Sequence, residues 1–159
     1  MEELKQIVRS TEPQTIEEKN PRILYPSHSA QQFEEIKLLI DERENFVCIW
    51  NAYTSSGGQL RNTFKQNETI QFRVCCAASA LLVDLSAEYA IEARIFDLRD
   101  LNPFLPFCFE IKDTLREIYF EAVFETQAQY KGLFKFQASF TLEKTGLFHV
   151  WDSYYFRVF

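Results

Sequence analysis

The chain has 159 residues, of which 47% are hydrophobic and 16% aromatic, so it can bury one substantial core and is not a globally disordered chain. Its net charge of −6 and pI near 5.0 disfavour nucleic-acid binding, because that binding depends on Lys and Arg side chains that neutralise phosphates. No run of about 18 apolar residues is present, so we expect no membrane span.

The N-terminal residues differ in composition and apolar pattern from the rest of the chain. Residues 1–30 mix charged residues with three prolines and show no sustained apolar period, which predicts an arm or linker, followed by one domain over residues 31–159. The opening residues lack a secretory signal pattern, so we expect a cytoplasmic protein. In that reducing compartment the four cysteines are predicted to be free thiols. They are Cys48, Cys75, Cys76 and Cys108.

From residue 33 onward, short apolar or alternating runs separated by polar breaks indicate strands. Residues 33–40 predict a strand, with a helix over residues 30–42 as the alternative. Residues 46–53 are apolar on both faces and predict a strand that is covered on both sides. Residues 54–59 contain two adjacent glycines and predict a loop. The apolar stretch 77–84 is left open between strand and helix.

Four later segments alternate apolar and polar residues with a period of two, which is typical of strands with one buried face. Residues 107–111 predict a further short strand, and the prolines at 103 and 106 indicate an edge or crossover before it. The residues predicted to point inward are Ile70, Phe72, Val74, Tyr89, Ile91, Ala93, Ile95, Ile118, Phe120, Ala122, Phe124, Phe134, Phe136, Ala138, Phe140 and Leu142.

The last segment, residues 148–158, predicts one or two closing strands with a bend near residues 152 and 153. Its even-numbered apolar residues, beginning with Phe148, are assigned to the core, so His149 and Trp151 fall on the opposite face. About eight strands without a convincing amphipathic helix predict an all-β antiparallel sandwich of immunoglobulin-like or jelly-roll topology.

The sequence contains no recognisable catalytic motif. It has no glycine-rich phosphate loop, and its two histidines lack metal-ligand spacing, so we expect no cofactor and no metal ion. Cys75 and Cys76 point to opposite faces of a strand and are interpreted as packing residues. We therefore predict that the protein is not an enzyme. A hydrolase that uses scattered carboxylates is the enzymatic alternative, with candidates Glu92, Glu121 and Asp152.

Several aromatic and polar residues fall on the outward phase of their strands. Aromatic rings can stack on the apolar side of a sugar while neighbouring polar groups bond its hydroxyls. The alternative is that the N-terminal arm or a partner subunit covers this face, which predicts an assembly subunit or a homo-oligomer. The candidate ligand-binding residues are Trp151, Tyr119, Tyr155, His149 and Glu121.

Three short motifs suggest a family. Residues 64–72, Phe-Lys-Gln-Asn-Glu-Thr-Ile-Gln-Phe, are followed later by 131–134 and 156–158. In this order they resemble the C-terminal carbohydrate-binding sandwich domain of the ATP-binding subunits of O-antigen polysaccharide ABC transporters. Asn67 stands where that family usually has glycine. The resemblance covers residues 33–159 and implies a saccharide ligand or a protein partner of polysaccharide export, without assigning individual sugar contacts.

Overall fold

The computed structural model describes residues 21–25, 45–99 and 107–159, and these residues form an all-β sandwich, which confirms the predicted fold class. Within these ranges lies one helix, α1, Ala80–Asp84. The described strands, in chain order, are β1 Arg22–Leu24, β2 Val47–Ser56, β3 Gln59–Leu60, β4 Thr63–Phe64, β5 Thr69–Ala78, β6 Glu88–Asp97, β7 Phe107–Thr114, β8 Tyr119–Gln127, β9 Gly132–Leu142 and β10 Phe148–Val158.

The strands form two five-stranded sheets. Sheet A has the order β1-β8-β5-β2-β3, and sheet B has the order β4-β10-β9-β6-β7. Neighbouring strands run antiparallel except β4 and β10, which are parallel. After β5 the chain passes to sheet B for β6 and β7, returns to sheet A for β8, and ends in sheet B. Each sheet therefore combines strands that are consecutive in sequence, such as β9 and β10, with strands that are distant in sequence, such as β5 and β8.

Aromatic rings from both sheets fill the space between them. Phe72 of β5 has its ring centroid 5.2 Å from that of Phe136, 5.4 Å from Phe156 and 5.9 Å from Phe109, all three on sheet B. Alternate residues of a strand point to opposite faces, so the two-residue period brings these rings into one layer. In β5, β6, β8 and β9 the residues predicted to point inward are buried, apart from the half-buried Ile118, which precedes β8.

In the last strand, two residues that were assigned to the core lie on the outer face. Phe148 was expected in the core, but its side chain is 64% exposed and Val150 is 40% exposed. The pairing of β10 with β9 shifts by one residue between Trp151 and Tyr154, at the predicted bend. A bulge of this kind reverses the phase of the strand before it relative to the strand after it. His149 and Trp151 therefore point inward, although they were expected on the outer face.

Other strand boundaries also differ from the predictions. β2 extends into the predicted loop as far as Ser56, and Gly57 and Gly58, with φ of 55° and 80°, form the tight connection to β3. The stretch 77–84 contains the end of β5 and then α1. Residues 22–24, in the predicted arm, form an edge strand of sheet A. The predicted strand 33–40 lies outside the described residues.

Asn67 adopts the left-handed conformation that glycine would favour at this position. Its φ is 74°, in the turn between β4 and β5. Asn is among the residues that best tolerate this region, because its short polar side chain can bond locally. Asparagine at position 67 is therefore compatible with this left-handed turn. No helix in the described part of the chain has the length and apolar character needed to cross a membrane.

The core assignment leads to a stability prediction. We expect Phe72→Ala to lower the free energy of unfolding by about 3–5 kcal/mol, because a fully buried ring would leave a cavity. Phe148→Ala, the matched ring on the exposed side, should change it by less than about 0.5 kcal/mol. Urea unfolding followed by circular dichroism measures both. Similar losses in the two variants would contradict the inverted phase of β10.

Candidate functional site

The structure separates the five candidate ligand-binding residues into three places. Tyr119 and Glu121 of β8 lie on the outer face of sheet A, since they alternate with the buried core residues of that strand. Tyr155 lies on the outer face of sheet B, beside Lys135. His149 and Trp151 point between the sheets. The five residues therefore do not form one site.

The outer face of sheet A carries a buried polar cluster, which we define as Ser55, Gln71, Arg73, Cys75 and Glu121. The Arg73 guanidinium lies 3.2 Å from one carboxylate oxygen of Glu121, and the Cys75 thiol donates to the other at 3.3 Å. Arg73 also donates to Ser55 Oγ at 3.1 Å and to Gln71 Oε1 at 3.3 Å. The charged groups are thus matched within the chain.

Aromatic rings adjoin this cluster. The Tyr119 ring packs against Trp50 at a centroid distance of 5.3 Å, and its side chain is only 5% exposed. Burial, then the charges of neighbouring groups including Glu121, raises the pKa values of the Cys75 thiol and the Tyr119 hydroxyl above their usual ranges. Both groups stay protonated near neutral pH, so neither is activated as a nucleophile.

The carboxylates considered for hydrolysis are not gathered together. Glu121 belongs to the buried polar cluster of sheet A, while Glu92 and Asp152 lie on sheet B and pair with Arg94 at 2.9 Å and Lys135 at 2.7 Å. General acid and base catalysis needs groups that converge on one reacting bond. Across the described ranges, no three His, Cys, Asp or Glu side chains are grouped to hold a metal ion.

His149 joins the two sheets. Its Nδ1 accepts a hydrogen bond from the backbone N–H of Ile49 on β2 at 2.9 Å. Five residues further on, the Tyr154 hydroxyl lies 3.2 Å from Thr54 Oγ1, also on β2. Trp151, between them, packs against the core. These inward side chains of β10 connect sheet B to β2 of sheet A and do not form a ligand surface.

The outer face of sheet B is the accessible one, and we call it the open face. Cross-strand pairing fixes its rows, because directly opposed residues share a face. Phe148 lies opposite Thr141, Val150 opposite Ser139, and Tyr155 opposite Lys135 on β9. The next strand, β6, continues these rows with Ala90, Glu92 and Phe96, and Arg94 faces Gln137. Apolar side chains thus flank a central band of polar ones.

The open face combines exposed rings with fixed charges. Tyr155 is 48% exposed, and the Lys135 ammonium that pairs with Asp152 also lies 6.0 Å from the centre of the Phe96 ring. The periodicity of β10 identified Tyr155, but it placed Phe148 and Val150 on the wrong side. The bend predicted near residues 152 and 153 was the sequence signal for this error. One extra residue in a strand reverses the face to which each preceding side chain points.

Comparisons with known proteins find distant structural similarity. No known family model and no curated protein sequence matches the chain. A β-glucosidase from Listeria innocua matches 72% of this chain and 16% of its own, with 13% identity and a TM-score of 0.43. A family 123 glycoside hydrolase from Clostridium perfringens matches 69% and 27%, with 9% identity and a TM-score of 0.38.

A fimbrial protein is similar at a comparable level. AggA, the major subunit of aggregative adherence fimbriae type I from Escherichia coli, matches 72% of this chain and 95% of its own, with 9% identity and a TM-score of 0.34. The chain spans less than a third of either hydrolase.

The link between His149 and β2 can be tested by substitution. We expect His149→Leu to lower the free energy of unfolding by about 1–3 kcal/mol, because the Ile49 N–H would lose its acceptor. His149→Asn should lose less, since its side-chain oxygen can occupy the position of Nδ1. Urea unfolding and amide exchange at Ile49 provide the measurements. Equal losses in both variants would show that the hydrogen bond is unimportant.

The cysteines should differ in reactivity. We expect iodoacetamide to label Cys108, which is exposed, and to leave Cys75 and Cys76 unlabelled until urea unfolds the protein. Alkylation requires an accessible thiolate, and burial raises the pKa of both buried thiols. Peptide mass spectrometry after timed labelling measures this order. Rapid native labelling of Cys75 would contradict the buried polar cluster.

Proposed function

We propose that this chain is a non-enzymatic binding module that recognises a polysaccharide through its open face. The supporting observation is the composition of that face, in which exposed Tyr155 and Phe148 flank a polar band that includes Gln137 and Ser139. Rings of this kind provide stacking surfaces, and short polar side chains provide hydrogen bonds to hydroxyls. The outer face of sheet A is less suitable, because its polar groups are buried and bonded to one another.

The spacing of the rings favours an extended ligand. Tyr155 and Phe148 lie seven residues apart on one strand, which corresponds to on the order of 20 Å along the sheet. A single sugar ring could not contact both residues, whereas a polymer lying along β10 could. The open face also carries both signs of charge, with Arg94 beside Glu92 and Lys135 beside Asp152, so it suits a ligand rich in hydroxyl groups rather than a polyanion.

The proposed setting, a cytoplasmic step of polysaccharide export, rests on the resemblance of residues 64–72, 131–134 and 156–158. The second candidate is an assembly subunit, and the specific observation that favours it is the adjacent exposure of Phe148 and Val150. Exposed apolar side chains that are contiguous are typical of protein interfaces. In that case a protein partner, and not a glycan, would cover the N-terminal end of β10.

Binding to immobilised O-antigen polysaccharides tests the proposal. We expect the wild-type chain to bind at least one of them, and Tyr155→Ala to weaken that binding on the order of tenfold, because an exposed ring that anchors a ligand contributes strongly to affinity. Tyr130→Ala is the matched control, since Tyr130 is 46% exposed and lies outside the strands of the open face.

Two results would contradict this proposal. Failure of the wild-type chain to bind any of the polysaccharides would contradict the proposal that its ligand is a polysaccharide. Equal affinity of Tyr155→Ala and the wild type for a bound polysaccharide would exclude the open face as the binding surface. Capture of one defined protein that Phe148→Ala no longer captures, without glycan binding, would support the assembly subunit instead.

A further inference from the structure

The four sheet edges of the sandwich are not alike. Among the described strands, β1 has three residues and β3 and β4 have two each, whereas β7 at the remaining edge has eight. Very short edge strands limit pairing with other chains, and a long edge strand leaves a row of backbone donors and acceptors. Within the described ranges, β6 is the one strand that pairs with β7. The outer edge of β7 is therefore a potential pairing site.

The side chains of β7 that share the open face carry opposite charges two residues apart. Glu110 and Lys112 are exposed, and their side chains lie 3.7 Å apart. Glu110 also faces Glu92 across the ladder, and Lys112 lies 3.5 Å from Glu143. Two carboxylates, Glu110 and Glu143, therefore lie beside the Lys112 ammonium, while Glu92 pairs with Arg94. Partial desolvation and the hydrogen bond with Glu92 raise the pKa of Glu110, so a second cation beside this carboxyl would favour its charged form.

This charge pattern is self-complementary in one register. When two antiparallel copies of β7 meet with Ile111 opposite Ile111, each Glu110 faces the Lys112 of the other copy. A shift that places Glu110 opposite Glu110, or Lys112 opposite Lys112, opposes like charges across the ladder, which is destabilising. A two-fold symmetric contact requires a surface that matches itself in this way.

We propose that two copies of this chain pair through their β7 edges, antiparallel and with Ile111 on the two-fold axis. The pairing joins two copies of sheet B into one continuous sheet and sets their open faces side by side. This inference is independent of the proposed ligand, because it depends on the edge and its charges. A contact of one strand per copy is small, so the dimer is expected to be weak and to depend on concentration.

Sedimentation velocity of the full chain over a range from about 1 μM to several hundred μM tests the pairing, since small interfaces of this class are transient. The wild type is expected to shift from monomer to dimer as its concentration rises. Glu110→Lys and Lys112→Glu each place like charges opposite each other twice per dimer, so each should weaken dimerisation on the order of tenfold.

Recombination of the variants separates pairing from folding. An equimolar mixture of Glu110→Lys and Lys112→Glu restores both opposite-charge contacts and should form a heterodimer. The double variant that carries both changes restores the same contacts between two identical copies and should form a homodimer. Lys131→Glu, an exposed charge change in the turn between β8 and β9, is the control and should dimerise like the wild type. A wild-type monomer at every concentration, or a mixture no more associated than its separate variants, would overturn the proposal.

Discussion

The packing of aromatic rings between the two sheets is the interaction on which the rest of this structure depends. Phe72 contacts three rings of the opposite sheet, and Tyr89 of sheet B contacts Phe120 of sheet A at a centroid distance of 5.0 Å. Because these strands are distant in sequence, neither sheet is a local unit. The rings hold the strands in the register that the outer faces then display, so the surface chemistry follows from the core.

The bulge in β10 reverses which residues point toward the core on its two sides, so the two ends of the strand present different side chains to the surface. After the bulge, Tyr154 and Phe156 point inward and Tyr155 outward. Before it, His149 and Trp151 point inward and Phe148 outward. One inserted residue therefore moves an aromatic ring to the surface and brings an imidazole to the backbone of β2. Bulges commonly redirect side chains in this manner, at the cost of a local break in the ladder.

The two outer faces have opposite character. On sheet A, Arg73, Glu121 and Cys75 satisfy one another at low exposure, which is the usual condition for burying charged groups. On sheet B, charged pairs stay partly hydrated and alternate with exposed apolar side chains. A buried, satisfied cluster favours a specific structure, whereas an open mixed face favours binding. The proposals about ligand and partner both concern sheet B for this reason.

The amino-acid sequence by itself determined the fold class, most strand positions and the inward residues of β5, β6, β8 and β9, because a two-residue period is a local property of the chain. It also predicted free cysteines and the bend in β10. Only the tertiary structure decided the phase of β10 before the bend, the burial of Tyr119 and Glu121, and the separation of the five candidate residues. Those outcomes depend on which strands become neighbours and on how one extra residue shifts a register, and neither is encoded in the periodicity of a single strand.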